Sequence, residues 1–288
     1  FMMETINILK KEAQEINSPT TISKKTTDYI LSIPHSGLLV PLEFKEKLNL
    51  GKSSLFGTDL FTDQVYDVDS GTHVIFNLNP YLVNVGRNKV VDLTKPKHLQ
   101  TDPFHLDSLT GEAILIEEFS ETEKEKLLNY YDQYHQLIKE EIKKMKQEHG
   151  FALLFDCHSM NSLGLQNTPD SGKERPDFVI GCLNDTSADL QLISVFYETL
   201  KEEAEQYGLS VAKDNPYQGG FITQKYQDPK NNIQVIQLEA KKSIYMDESL
   251  NSGDFQIKLE GLKKVNSIIA KAFQVTAEEA KKINTKPL

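Results

Sequence analysis

Two stretches, "FALLFDC" at 151–157 and "DFVIGCL" at 177–183, are apolar at nearly every consecutive position. Successive side chains of a strand point to opposite faces, so such runs need cover on both sides. Further β-rich runs are "DYILSI" (28–33), "THVIFNL" (72–78), "YLVNVG" (81–86), "LSVAKD" (209–214) and "IQVIQLEA" (233–240). Helical patterns lie between them. The stretch 120–150 opens on a capping box, Ser120 with Glu123, and closes at Gly150. The stretch 187–208 runs from a cap near Ser187 to Gly208, and 254–282 is also amphipathic. This alternation predicts an α/β fold with a mostly parallel central sheet and helices on both faces. A single domain is expected over 28–288, preceded by an N-terminal helical extension at 1–27.

Charge and cysteine usage narrow the function. A net charge of −10 over 288 residues argues against nucleic acid or an anionic membrane as the main partner, since both need a basic face. No apolar run approaches the roughly 18 residues that span a bilayer. The opening residues lack the apolar centre and small-residue cleavage site of a signal peptide. Cys157 and Cys182, the two cysteines, both sit in apolar runs. Buried thiols fit a reducing compartment, so a cytoplasmic protein is expected.

In open α/β sheets ligands sit beyond the carboxyl ends of the strands, so chemistry belongs just after each apolar run. His35 follows the first run, inside Pro-His-Ser-Gly. Asp156 and His158 close "ALLFDCHSM", Arg87 follows "YLVNVG", and Glu239 ends "IQVIQLE". Imidazoles and a carboxylate bind Zn²⁺, and a separate carboxylate serves as base. A third ligand belongs to "GTDLFTDQVYD" at 57–67. There Asp59 and Asp63 share a helical face at i, i+4, where like charges repel unless a cation joins them. One of the two is then a ligand and the other its supporting partner, or both simply complement a helix N-terminus. Asp156 is placed to orient a metal-bound imidazole.

Each residue also has an ordinary reading: a turn histidine at 35, a strand-end histidine held by Asp156, a paired glutamate at 239. It is their joint occurrence at separate strand exits that points to a site. His73, His98, His105 and His149 read as structural or exposed, and His135 as helix packing. Ser36 and Ser159 each follow a histidine, but strand neighbours face opposite ways and neither lies in G-x-S-x-G, so a serine nucleophile is rejected. Cys157 should face the core. Gly219-Gly220 allows a close backbone approach or a bulge.

Taken in order, "SIPHSGLLVP", "GTDLFTDQVYD", "GRNKVVDLTK", "LLFDCHSM", "NPYQGGFITQKY" and "VIQLEAKKSIYMDE" resemble the motifs of the N-formylglutamate amidohydrolases, over roughly residues 28 to 250. The resemblance implies a mixed sheet, a phosphorylase/hydrolase-like architecture similar to zinc carboxypeptidases. It implies hydrolysis of an N-formyl amide to formate and a free amino acid, late in histidine degradation. It puts His35, Asp59 and His158 on Zn²⁺ or another divalent metal, makes Glu239 the base, and gives Arg87, together with Lys95, the substrate carboxylate. Gly219, Gly220 and Thr223 become the pocket wall, with Asp63 and Asp156 behind the ligands.

The chain departs from the family at Gly57, where an aspartate is frequent, and at "DLTK", where Lys95 stands for an arginine. A lysine offers a point charge rather than a planar fork. The expected partner is therefore a small carboxylate-bearing N-acyl amino acid. The alternatives are another N-acyl or peptide-like amide, or a non-catalytic ligand-binding protein on the same fold.

Overall fold

The computed structural model describes residues 18–49, 55, 58–90, 102–104, 113–165, 168, 170–248 and 255–285. Seven strands form one sheet: β1 (Thr20–Lys24), β2 (Ile30–Ile33), β3 (Thr72–Phe76), β4 (Ala152–Met160), β5 (Phe178–Gly181), β6 (Val211–Lys213) and β7 (Ile233–Lys241). Their order is β1-β3-β2-β4-β7-β5-β6. The pairs β2–β3, β2–β4, β4–β7 and β5–β6 are parallel, while β1–β3 and β5–β7 are antiparallel. The sheet is thus mixed and mostly parallel, with β3, β2, β4 and β7 running the same way and delivering their carboxyl ends to one edge.

The expected helical extension is corrected where the structure describes it. Thr20–Lys24 is an antiparallel edge strand on β3, and residues 1–17 lie outside the described residues. Its "TTISK" sequence is polar and largely exposed, because one face and one edge meet solvent. A second correction concerns "YLVNVG". Residues 81–86 are turns rather than a strand, although Tyr81, Leu82, Val83 and Val85 are buried. Asparagine side chains shape that segment: Asn79 Oδ1 accepts from Tyr81 N at 3.0 Å and Asn84 Oδ1 from Gly86 N at 2.8 Å. Such local bonds compete with a strand ladder.

The short helix α1 (Thr62–Val65) precedes β3. Helix α2 (Glu121–His149) begins at Ser120, whose Oγ accepts from Glu123 N while Glu123 Oε2 accepts from Ser120 N, and ends on Gly150 at φ 79°. Helix α3 (Leu190–Glu205) is capped by Asp189 rather than Ser187, whose hydroxyl instead donates to the Val235 carbonyl at 2.6 Å. Two shorter helices, α4 (Phe221–Tyr226) and α5 (Lys242–Tyr245), flank β7, and α6 (Leu259–Thr285) closes the described chain.

Alternation along β4 sorts the two faces. Phe155 packs against Phe196 of α3 and Phe273 of α6, with ring centroids at 5.0 and 4.4 Å. Cys157 is fully buried. Asp156 points the other way, toward Ser32 and Thr223, and Ser32 meets Tyr134 of α2 at 2.8 Å. Helix α2 therefore covers one face and the α3–α6 pair the other. No helix among the described residues is long and apolar enough to cross a membrane.

Candidate active site

At the exit of β2 the chain passes so close to the exit of β3 that a Cβ on Gly37 would lie 2.3 Å from the Asn77 carbonyl carbon. Glycine is required there by space alone. The turn presents His35 inward, and its carbonyl accepts from Asp59 N at 3.2 Å, bringing residue 59 alongside. Phe61 then adopts a left-handed conformation, φ 64°, before α1 begins. Asp59 is thus outside the helix and buried, while Asp63 on α1 is exposed. The expected shared helical face does not exist, and it is Asp59 that reaches the two histidines.

Three ligand groups converge. Asp59 Oδ2 lies 3.3 Å from His35 Nδ1 and 3.1 Å from His158 Nδ1, and the two imidazole centroids are 5.0 Å apart. Two donors held at about 2.0–2.1 Å around a tetrahedral Zn²⁺ stand about 3.3 Å apart, so these spacings match the edges of such a site. The far nitrogens are held as well. His158 Nε2 meets Asp156 Oδ1 at 3.0 Å, and His35 Nε2 meets Asn84 Oδ1 at 2.8 Å. Each imidazole therefore has one nitrogen fixed by an oxygen and the other aimed at the common point, as metal-ligating histidines do. The donor set fits a divalent cation.

Electrostatics follow. Burial would raise the Asp59 carboxyl, but hydrogen bonds and charge from His158 and His35 hold it well below the usual range. Burial would discharge His158, yet Asp156 and Asp59 push its pKa well above the ordinary value. Glu239 stands opposite His158 in the parallel β4–β7 register. Burial first, then the charges of Asp59 and Asp156, raise its carboxyl to about 8 against the opposing pull of His158. Gln237, two residues earlier on the same strand face, donates from Nε2 to Glu239 Oε1 at 2.9 Å and accepts Gly220 N on Oε1 at 2.5 Å.

These groups floor a cavity of about 670 Å³, walled by Arg87, Tyr217, Gly219, Gly220 and Phe221 among others. Arg87 is an exposed residue of the cleft wall, and protein around its guanidinium lowers its pKa. Gly219 sits at φ 124°, a conformation favourable only to glycine, and a Cβ on Gly181 would lie 2.7 Å from Gly219 N.

The structure thus brings together His35, Asp59, His158, Asp156, Glu239, Arg87, Gly219 and Gly220. Two expected placements are corrected. Asp63 is exposed and does not line the cavity. Thr223 is fully buried behind the wall, where its hydroxyl donates to Asp156 Oδ2 at 3.2 Å, so it supports the aspartate rather than substrate. Lys95, like Gly57, His98 and His105, lies outside the described residues.

Of the other histidines, buried His73 bonds the Ser70 carbonyl and His149 meets Thr27 Oγ1. His135 packs within α2's buried stripe. Asn84 and Gln237 were missed; only Gln237 had a signal, its i, i+2 spacing from Glu239. Ser159 was also misplaced by simple alternation. Asp59 crosses the end of β4, so Ser159 Oγ reaches its other oxygen at 3.2 Å.

Comparison with known proteins gives the family and the fold. A family model described as N-formylglutamate amidohydrolase matches residues 27–246. An N-formylglutamate deformylase from Pseudomonas putida is 30% identical over 231 residues, covering 76% of this chain and 82% of the relative. One from Pseudomonas aeruginosa is 28% identical over 228 residues, with the same coverage. The crystal structure of N-formylglutamate amidohydrolase from Ralstonia eutropha superposes with a TM-score of 0.75 at 19% identity, covering 92% of this chain and 99% of that one. That likeness concerns the fold.

Proposed function

The chain belongs to the N-formylglutamate amidohydrolase family, and from that premise we propose that it hydrolyses N-formyl-L-glutamate to formate and L-glutamate. The observation that carries the chemistry is the convergence of His35 Nδ1 and His158 Nδ1 on Asp59 Oδ2, with Glu239 across the strand pair. His35, Asp59 and His158 would hold a divalent ion, Zn²⁺ first, which when bound polarises an acyl carbonyl and acidifies water.

Glu239 is the base. Its carboxyl is buried opposite His158 and held by Gln237, a placement that suits a group that must accept and return a proton. It takes a proton from water as the water oxygen bonds to the formyl carbon. As the carbon–nitrogen bond breaks, Glu239 returns that proton to the leaving nitrogen. Gln237 fixes the carboxylate through its amide and is itself held by Gly220 N, so base and pocket wall share one linkage. Arg87 pairs the substrate carboxylate in bidentate fashion. The free, buried Cys157 and Cys182 support a reducing cytoplasmic setting, where such a hydrolase serves histidine breakdown.

Formate release from N-formyl-L-glutamate is the test, with metal-replete and chelator-stripped protein side by side. Full activity after complete metal removal overturns the metal reading. Replete protein that hydrolyses other N-acyl amino acids but not this one overturns the substrate. Glu239→Gln should lower kcat by about 10²–10⁴-fold while metal content is retained; loss of metal in that variant would make Glu239 a ligand instead.

A further inference from the structure

The cleft over the histidines adjoins a second feature. A cavity of about 780 Å³ is lined by Asn88, Lys89, Tyr131, Lys139 and Lys225 among others. Beyond it a cavity of about 630 Å³ is lined by Lys139, Lys143, Lys146 and Lys225 among others. Asn88 stands in the walls of both the first of these and the active-site cleft. Lys139 and Lys225 stand in the walls of both basic cavities. The three hollows therefore form one series leading away from Arg87.

The charge of this series runs against that of the chain. Five lysines line the two outer hollows, in a protein of net charge −10, against two carboxylates, Asp132 and Asp228. Asp132 pairs with Lys89, and Asp228 accepts from Asn231 Nδ2 at 2.7 Å. Among the described residues no carboxylate pairs with Lys139, Lys143, Lys146 or Lys225. The first three fall at i, i+4 and i+7 on α2, where like charges repel, and Lys225 faces them from α4. Burial and the charges of Lys139 and Lys89 hold the Lys225 ammonium below its ordinary pKa. Such crowding is relieved by an anionic ligand, and cations in series suit an extended acidic chain better than one small ion.

The series is also tied to the substrate-binding segment. Lys89 lies over the Tyr131 ring at 5.2 Å, and the Tyr131 hydroxyl donates to the Arg87 carbonyl at 2.7 Å.

We propose that this lysine track binds the acidic tail of a longer substrate: an N-acylated, glutamate-rich peptide. Its acyl amide lies at His35, Asp59 and His158, and its further carboxylates pass over Lys225, Lys139 and Lys143. The proposal rests on the hydrolase reading above and extends its substrate class from a single amino acid to an acidic oligomer. The reaction is unchanged. Water's oxygen joins the acyl carbon, the carbon–nitrogen bond breaks, and the nitrogen leaves as the free amino terminus of the peptide.

The experiment compares N-formyl-L-glutamate with N-formyl-tetra-L-glutamate on metal-replete enzyme at low salt, in the native chain and in the triple variant Lys139→Gln, Lys143→Gln, Lys225→Gln. Three exposed pairings, each giving about a factor of two, multiply to about an eightfold lower KM for the tetramer. In the triple variant that advantage should vanish, while constants for N-formyl-L-glutamate stay within about twofold. Added salt should erase it in the native chain. Equal KM values for the two substrates, or an advantage that survives the triple variant, overturns the proposal. Binding of tripolyphosphate without any tetramer advantage also overturns it and reassigns the track to a phosphate-bearing anion. If neither formyl compound is hydrolysed, the hydrolase reading fails by itself. Fluorescently labelled tetraglutamate then tests the track alone, and equal binding to native and variant chains refutes it.

Discussion

Gly86→Ala isolates the positioning of His35 from everything else. A Cβ at residue 86 would lie 2.7 Å from His35 Nε2, 2.9 Å from Cε1 and 3.1 Å from Asn84 Oδ1. Relief to an ordinary contact of 3.4 Å asks the imidazole to withdraw by about 0.7 Å. It cannot do so freely, because the same nitrogen is bonded to Asn84 Oδ1 at 2.8 Å. Functional constellations tolerate about 0.5 Å of displacement, so Nδ1 leaves its place beside Asp59.

In the metal-free chain the cost is small, since a ring tip moves in a half-open cleft and alanine lowers the entropy of the unfolded chain. With metal the cost is that of losing an outer-shell anchor, about 10–100-fold in affinity. Stripped protein titrated with Zn²⁺ against a competing chelator measures this, with formate release and thermal melting in parallel. The expected result is weakened metal binding and turnover at nearly unchanged apo melting. Native metal affinity and activity in folded Gly86→Ala would show that the His35 placement is not what holds the ion.

Asp156→Asn should keep its packing but no longer polarise His158 through Nε2, lowering Zn²⁺ affinity about 10–100-fold in the same titration; unchanged affinity would remove Asp156 from the metal's support. His135 is held at a pKa of about 3, against an ordinary 6.5, first by burial and then by Lys225. Its neutral form is the folded one, so stability is intact above pH 6.5 and falls as the unfolded chain gains a proton between 6.5 and 3. In urea melts at stepped pH, His135→Gln should flatten that decline by up to about 1.4 kcal/mol per pH unit, and an identical slope refutes the assignment. Phe273→Ala removes the ring packed on Phe155, Tyr29 and Phe196. It should cost about 3–5 kcal/mol by chemical denaturation, whereas a cost below about 1 kcal/mol would mean the cluster closes over the gap.

Sequence patterns carried the centre of the fold further than its rim. β4 and β7 are legible because runs such as "ALLF" and "VIQL" leave no solvent face, and α2 because both of its ends bear local capping chemistry. β1 was invisible: an edge strand with a polar face has no apolar run to display. The 81–86 segment misled for the opposite reason. It is buried by the surrounding chain, so it carries apolar residues without ladder pairing, and only Asn79 and Asn84 betray the turns.

The site divided in the same way. Strand-exit residues His35, His158 and Glu239 follow from where apolar runs stop. Asp59 over Asp63 depended on a single left-handed residue, Phe61, which no helical spacing foretells. Thr223 and Asn84 act through contacts across long sequence separations, 67 and 49 residues, and short motifs are silent about those.

The β4–β7 register, with His158 opposite Glu239 and Asp156 opposite Gln237, has a consequence for anyone re-engineering the protein. The spacing between the imidazole and the carboxylate proposed to hold the ion and carry the proton is dictated by the interval between adjacent parallel strands, about 4.8 Å, and not by any loop. The walls around Arg87 and Tyr217 can therefore be exchanged wholesale for new specificities while the reactive pair keeps its separation. A single-residue insertion within either strand would turn the chemistry into the hydrophobic interior and leave nothing for loop redesign to rescue.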